Sequence, residues 1–419
     1  MGMRQIDEIL GWALERDASD IHLKIGSPPL LRRYGILAPE GKFAPLSAED
    51  LKDILCQLAD ETQRARLVAE RQLDLGYGNE VLGRFRVNVY YQRGELRVAM
   101  RAIPNKVRTL EELYLPEIVT RLATESRGLI LVTGTTGSGK STSLASMIDR
   151  KNQTDPLHII TVEDPIEYLH TDNKSMISQR EVGVDVTDFG AGLKGALRQD
   201  PDVILIGEMR DLETIETAIV SAETGHLVLS TLHTLDAPET VTRIIQAFPG
   251  HQRDQIRIVL SSVLKGIISQ RLVRRADGKG LVPAVEVMIN TALVQDIIKD
   301  PTRSPRELTD AIAKGHVNYG TQTFDQSLMS LYRQELITYE EALRQATKPD
   351  DFALQVRGIS STSDSQWADF DTPGDQGAKD ESTAGADRGA AAFGSRKASR
   401  NAGHIEPSKV PPARLVKRF

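Results

Sequence analysis

Gly134-Thr135-Thr136-Gly137-Ser138-Gly139-Lys140-Ser141 matches the pattern G-x-x-x-x-G-K-[ST] at every fixed position. The apolar run Leu129–Val132 leads into it, and a helix-like run from Thr142 to Arg150 leads out. Strand, glycine loop and helix form the setting in which this pattern cradles phosphate. Gly137 and Gly139 let the backbone wrap close to an anion with its amides turned inward. The new helix adds its positive N-terminal end. The candidate nucleotide-binding residues are therefore Gly134, Thr135, Thr136, Gly137, Ser138, Gly139, Lys140, Ser141 and Thr142. In this reading Lys140 reaches the β- and γ-phosphates and Ser141 ligates Mg²⁺.

The same rhythm extends outward. Short, nearly continuous apolar runs at Leu129–Val132, His158–Val162, Val203–Ile206 and Leu227–Ser230 alternate with helical stretches. Such runs suit strands covered on both faces, hence an α/β fold. Two of them end in acids. Asp202-Val203-Ile204-Leu205-Ile206-Gly207-Glu208 delivers Glu208 at a strand's C-terminal end, the place for a metal-side carboxylate. Asp202, at the other end, reads as a residue that caps or orients. Glu163-Asp164-Pro165-Ile166-Glu167 sets three acids in five residues after another apolar run, an arrangement that suits fixed carboxylates near a metal or a proton transfer. It also fits a solvated acidic loop. His226 and His233 bracket the last run; by periodicity they read first as satisfied polar residues, and they lack the ligand company of a zinc site.

Ahead of this region, residues 1–105 read as an α+β unit. Ile6, Ile9, Leu10, Ala13 and Leu14 recur at helical spacing, and Asp20–Ile25 alternates with period two. Ser47 and Asp50 suggest a capping box. Arg84–Tyr90 and Leu96–Arg101 alternate arginines with apolar residues across a turn containing glycine. Taken alone, Arg84, Arg86, Arg97 and Arg101 read as a solvated sheet face. Arg101 stands at an odd offset from Arg86, so both face one way only if the turn resets the register. Residues 106–112 are the expected linker, 113–357 the second domain with a helical C-terminal part, and 358–419 a tail.

Composition sets limits. The chain has 419 residues with 52 bases, 58 acids and one cysteine, Cys56. Intramolecular disulfides and four-cysteine zinc sites are excluded. Mean hydropathy is -0.29, and no apolar run approaches a membrane span. The acid-rich start lacks a signal-peptide pattern, and the expected location is the cytoplasm. The net charge of -6 gives nucleic-acid binding no support. The tail holds only five Leu, Ile or Val residues and reads as disordered. Residues 364–387 carry seven acids and one base, and residues 388–419 eight bases and one acid. That polarity suits a solvated tail or a tether to a partner or anionic surface.

The glycine loop, the acidic box, Gly207-Glu208-Met209-Arg210-Asp211 and the stretch from Ala222-Glu223-Thr224-Gly225-His226 to Thr231-Leu232-His233-Thr234 occur in this order. Together they resemble the secretion ATPase superfamily, and within it the PilT/PilU family of type IV pilus retraction motors. The resemblance spans residues 4–356, including Ala18-Ser19-Asp20-Ile21-His22-Leu23. It implies a PAS-like N-terminal domain followed by a RecA-like ATPase domain, assembled as a homo-hexamer. It implies ATP and Mg²⁺ as cofactors and Glu167 as the carboxylate that activates water. Glu208 becomes the Walker B acid, His226 and His233 the histidine box, Asp164 a supporting acid, and Arg86 and Arg101 charge-stabilising fingers. The implied partners are an inner-membrane pilus platform protein and a paralogous retraction ATPase, with the ring peripheral to the membrane.

The stretch Leu293-Val294-Gln295-Asp296-Ile297-Ile298-Lys299-Asp300 departs from the A-I-R-N-L-I-R-E signature of the PilT kind at Gln295 and Asp296. Thr321–Gln326 and Ile337–Leu343 read closer to the PilU kind. Two other classes stay open from the residues: an ATP-binding regulator without turnover and a nucleic-acid motor. The tail has too few apolar residues to join a core, so deleting residues 358–419 is expected to leave ATPase turnover and assembly near those of the full chain. Loss of soluble assembly on truncation, measured by size-exclusion chromatography with light scattering, would show that it folds against the rest.

Overall fold

The computed structural model describes residues 5–33, 36–39, 41–79, 81–103 and 107–358. The expected tail beyond Gly358, and Lys106 at the start of the expected linker, lie outside the described residues.

The N-terminal part runs α1 (Gln5–Leu14), β1 (Asp20–Lys24), β2 (Leu30–Arg33), β3 (Ile36–Pro39), α2 (Ala48–Leu58), α3 (Glu61–Glu70), β4 (Gln72–Asn79), β5 (Gly83–Gln92) and β6 (Glu95–Ile103). The strands form a six-stranded sheet in the order β3-β2-β1-β6-β5-β4. All its pairings are antiparallel. The inward apolar residues of β5 and β6, Phe85, Val87, Val89, Val98 and Met100, are buried with Ile6, Ile9 and Leu10 of α1 and Leu51 and Ile54 of α2. Ser47 and Asp50 form the expected capping box at the start of α2. At the β5–β6 turn, Arg93 and Gly94 have φ of 54° and 80°, the two positive values of a two-residue hairpin turn. That turn sets Arg86 directly opposite Arg101, so the register does reset and both side chains share a face.

The second part holds α4 (Glu117–Ala123), β7 (Gly128–Thr133), α5 (Lys140–Thr154), β8 (His158–Glu163), β9 (Met176–Glu181), α6 (Phe189–Ala196), β10 (Val203–Ile206), α7 (Leu212–Glu223), β11 (Leu227–Leu232), α8 (Ala237–Ala247), α9 (Arg253–Val263), β12 (Leu264–Arg274) and β13 (Leu281–Ile289). Helices α10 (Ala292–Lys299), α11 (Pro305–Lys314), α12 (His316–Tyr319), α13 (Phe324–Arg333), α14 (Tyr339–Gln345) and α15 (Pro349–Val356) complete it. The sheet order is β13-β12-β7-β11-β10-β8-β9. It is parallel except for the antiparallel β12–β13 pair. Leu129 and Leu131 of β7 and Ile204 and Ile206 of β10 pack on one face. Ile130, Val132, Val203 and Leu205 pack on the other. Helices on both sides explain why these runs are apolar throughout rather than alternating.

Leu110, inside the expected linker, is buried with Leu113, Val119 and Ile148 in this second core. The chain therefore enters the second core within the segment read as a spacer, because a leucine at that position gains more from burial than a solvated linker offers. Strands β2, β3, β4, β9, β12 and β13 were not foreseen. Gln72–Asn79 alternates at Leu73, Leu75 and Tyr77, but Gly76 and Gly78 interrupt it with residues that disfavour strands, and Met176–Glu181 carries too few apolar residues to signal a strand by pattern.

On β13, Glu286 accepts a hydrogen bond from the Ala237 amide at the start of α8, 2.8 Å away. Burial pushes its carboxyl up to about 7, against smaller opposing effects that include that amide. A carboxyl raised in the folded state binds its proton more tightly there than in the unfolded chain. Its contribution therefore weakens the fold progressively as pH rises from its ordinary 4.5 to about 7. Glu286→Gln keeps an acceptor for Ala237 and removes the charge. It is expected to match wild type in urea melts near pH 4 and to exceed it at pH 8 by up to about 3 kcal/mol. Equal melts at pH 8 would count against a strained buried carboxylate.

Candidate active site

The carboxyl ends of β7, β11, β10 and β8 lie along one edge of the parallel sheet, since Thr133 pairs with Leu232 and Ile206 pairs with both Ser230 and Val162. That edge is where open α/β sheets bind ligands. The glycine loop leaves it directly from Thr133. Gly134 sits at φ 139°, and a Cβ there would lie 2.5 Å from the Gln270 carbonyl oxygen and 2.6 Å from Ser138 Oγ. Only glycine fits so close to β12. Gly139, at φ 93°, opens α5.

Lys140 is 9% exposed. Its Nζ donates to the carbonyls of Gly134 (2.8 Å) and Thr135 (3.1 Å), which folds the side chain back over the loop. Burial holds its pKa below the ordinary lysine value, opposed by the charges of Glu167 and Glu208. Those two carboxylates, more than twenty residues from Lys140 in sequence, thus act on one ammonium group. Ser138 Oγ is buried with no hydrogen-bond partner among the described residues. An orphaned hydroxyl in a backbone cradle beside a buried cation suits an anion with several acceptor oxygens.

The three acids of the acidic box have different surroundings. The carboxylate of Glu163, at the end of β8, accepts hydrogen bonds from Thr161 Oγ1 (2.6 Å) and Gln179 Nε2 (3.2 Å). Burial pushes its pKa up. Asp164 and Glu167 are exposed. Tyr168 Oη lies 2.9 Å from Thr142 Oγ1, linking the acidic loop to the first turn of α5. The Asp164–Pro165 peptide is cis.

Glu208 follows β10 with its side chain 12% exposed. One oxygen pairs with Arg210 Nη2 at 2.5 Å and the other lies 3.2 Å from His233 Nε2. Asp202, at the opposite end of β10, accepts from the His158 amide at 2.8 Å and so caps β8, as expected.

His233 thus reaches the site and His226 does not within one chain. His226 precedes β11, where Leu227 pairs with Gly128 rather than with the loop end of β7. The six residues of β11 separate the two histidines by roughly 20 Å. His226 Nδ1 lies 3.0 Å from the Ser221 carbonyl oxygen and 3.2 Å from Thr224 Oγ1. Arg86 and Arg101 stay on the N-terminal sheet. Arg101 Nε donates to Asp20 Oδ1 at 2.8 Å while the side chain is 71% exposed. Arg86 is exposed and has no ion pair among the described residues. Arg97 pairs with Glu95 at 3.1 Å, and Arg84 with Glu181.

Beside the loop lies a cleft of about 470 Å³, lined by Gly134, Ser138, Leu235, Arg271, Leu272 and Leu281 among others. Arg271 stacks 3.9 Å from the centre of the Phe324 ring and donates to the Gln345 carbonyl at 3.3 Å. Sequence reading missed this wall. Its residues come from β12, β13, the segment after β11 and the last turn of α14, and no local motif marks them.

The model of the family described as "Type II/IV secretion system protein" matches residues 2–346. The chain is 41% identical to the type IV pilus ATPase PilU of Pseudomonas aeruginosa over 360 residues, 86% of this chain and 93% of that one. It is 40% identical to the pilus retraction ATPase PilT of the same organism over 347 residues, 83% and 99% of the two chains. Among solved structures, the pilus retraction motor PilT with bound ADP superposes with a TM-score of 0.76 at 45% identity, over 84% of this chain and 99% of that one. The ATPase DotB of Legionella pneumophila gives 0.70 at 28% identity. With that breadth of match, and a phosphate loop and paired acids at one sheet edge, the chain belongs to the type II/IV secretion system protein family, in its PilT/PilU branch of pilus ATPases.

Proposed function

We propose that this chain is a Mg²⁺-dependent ATP hydrolase that works as a homo-hexameric ring and drives type IV pilus retraction by pilin depolymerisation. Its partner is an inner-membrane platform protein, on which the ring sits from the cytoplasmic side; among the described residues no helix is long and apolar enough to cross a membrane. The N-terminal sheet and helices are read as a PAS-like domain and the second part as a RecA-like one. The observation that carries this reading is the glycine loop at the carboxyl edge of the parallel sheet, with the buried Lys140 ammonium folded over it, a partnerless buried Ser138 hydroxyl within it, and Glu208 at the end of the neighbouring β10.

The loop from Gly134 to Thr142 holds the phosphates of ATP through its amides and Lys140. The cleft beside it takes the rest of the nucleotide. Ser141 and Glu208 offer hydroxyl and carboxylate oxygens, the hard donors that suit Mg²⁺; this ion keeps much of its shell as water and phosphate oxygen and needs few protein ligands. When bound, Mg²⁺ neutralises charge developing on the phosphate oxygens. Arg210 is 70% exposed and free to swing away from Glu208. Glu167 orients and deprotonates the attacking water, since Glu163 is already committed to Thr161 and Gln179. His233 orients Glu208. Arg86 and Arg101 serve as fingers for a neighbouring subunit's ATP, where added positive charge matters most in the transition state. His226 and Asp164 take supporting roles in the assembled ring.

A second reading is an accessory motor of the PilU kind that depends on a PilT partner. Gln295 and Asp296 on α10 favour it, where the PilT signature has arginine and asparagine. Retraction measured in a strain lacking only this gene separates the two.

Lys140→Ala is expected to weaken ATP binding more than about tenfold, a loss above roughly 1.4 kcal/mol. Glu167→Gln should retain binding and lose turnover by about 100-fold or more. Turnover near wild type in Glu167→Gln would move the role to another acid. Mixing Arg86→Ala chains with Glu167→Gln chains tests action between subunits. Partial ATPase activity should return in mixed rings, because some interfaces pair an intact arginine with an intact carboxylate. No recovery at any ratio, with mixed rings confirmed by native mass spectrometry, would assign the arginines to their own subunit or to the fold alone.

A further inference from the structure

We propose that Arg84 and Glu181 form a latch through which the N-terminal sheet positions the acidic loop, and with it Glu167; the link to catalysis rests on the reading of Glu167 given above. Both sheets lie in the same compact unit, and this pair joins them. Arg84 stands on β5 beside a strand that has given up its side chains. Its cross-strand partner on β4 is Gly78. Two residues earlier, a Cβ at Gly76 would lie 2.4 Å from Arg84 Nη2 and 2.8 Å from its Cζ. The guanidinium therefore lies in the slot that Gly76 leaves open. Gly76 has no positive φ, so space and not backbone conformation is what its lack of a side chain provides there.

Across that slot Nη2 pairs with Glu181 Oε2. The Glu181 side chain is only 4% exposed. Arg84 Nε is buried without a partner among the described residues, so the guanidinium is committed through Nη2. The same Glu181 Oε2 accepts the Ile166 amide at 3.2 Å. Ile166 is 5% exposed and directly precedes Glu167. Glu181 is also opposite Glu163 in the parallel β8–β9 register, and the next amide, Val182, donates to the Glu163 carbonyl at 2.9 Å. One carboxylate oxygen thus serves both a cation from the N-terminal sheet and the backbone of the loop, and its residue is stitched to the loop's other end.

A shift of the N-terminal sheet that withdraws Arg84 leaves the Glu181 carboxylate buried without its counter-cation, an unfavourable state that the Ile166 amide alone does not offset. The carboxylate then turns toward water and releases the Ile166 amide. Arg84 is a positioning residue in this scheme, acting on Glu167 through Glu181 and Ile166. A simple docking salt bridge between the sheets would lack the last step.

The test uses the purified full-length chain and two variants. Arg84→Met keeps an apolar stem and removes the cation. Gly76→Ala changes no charge and displaces the flexible end of Arg84; it also serves if Arg84→Met fails to fold. Hydrogen exchange by mass spectrometry follows peptides containing the Ile166 and Glu167 amides, and ATP kinetics are measured alongside. Both variants are expected to raise exchange in those peptides about tenfold and to lower kcat about tenfold with little change in KM, with Arg84→Lys restoring much of both. Unchanged exchange in both variants overturns the latch, whatever the kinetics. Faster exchange with unchanged kcat overturns its tie to turnover and points instead to a failure of the Glu167 assignment, which Glu167→Gln checks on its own.

Discussion

The parallel register of β7, β11, β10 and β8 governs almost everything at the site. In a parallel ladder every strand ends on the same edge, so groups distant in sequence are delivered side by side. Thr133 releases the glycine loop there, Glu163 opens the acidic loop, and Gly207-Glu208 follows β10. The same constraint sends Asp202 and His226 to the far edge, where they bind backbone and side-chain groups of neighbouring turns. The apolar composition of these strands follows too, because helices cover both faces and leave no face for water.

At that edge the electrostatics are balanced against burial. Lys140 is withdrawn from water yet faces two carboxylates, and it occupies itself with the carbonyls of Gly134 and Thr135. Those carbonyl contacts are with neutral acceptors, weaker partners for an ammonium than a charged oxygen would be. Glu208 is similarly occupied by Arg210 and His233. The acidic loop is the opposite case. Glu163 is fixed by Thr161 and Gln179, while Glu167 stays exposed. A loop that fixes one acid so that the next projects is a means of holding a carboxylate without burying it.

The N-terminal sheet has its own core and its own logic. Its hairpin turn at Arg93 and Gly94 decides that Arg86 and Arg101 stand opposite each other. Its two glycines on β4 decide that Arg84 lies flat across the strand toward Glu181. The sheet therefore presents exposed arginines outward and commits one arginine inward. Asp20, on β1, accepts a hydrogen bond from Arg101; burial pushes its carboxyl up, but hydrogen bonds from Arg101 and Ser19 outweigh that and hold it below the usual carboxylate range.

The sequence by itself determined the glycine loop, its flanking strand and helix, the acid after β10 and the apolar runs of the central sheet. Each of these is a local pattern: close backbone approach needs glycine at fixed spacing, and a strand covered on both faces needs an unbroken apolar run. The capping box at Ser47 was legible for the same reason. Only the tertiary structure decided what depends on chain segments meeting. The odd offset of Arg86 and Arg101 became a shared face through one turn's backbone sign. His226 and His233, equal in the sequence, were separated by the length of β11. Leu110, inside an expected spacer, went into the second core. Gln270, Arg271 and Leu281 became the wall of the cleft because β12 and β13 extend the sheet beside β7. Nothing near them in sequence records this, since pairing between distant strands is set by how the whole core packs and not by any residue's own preference.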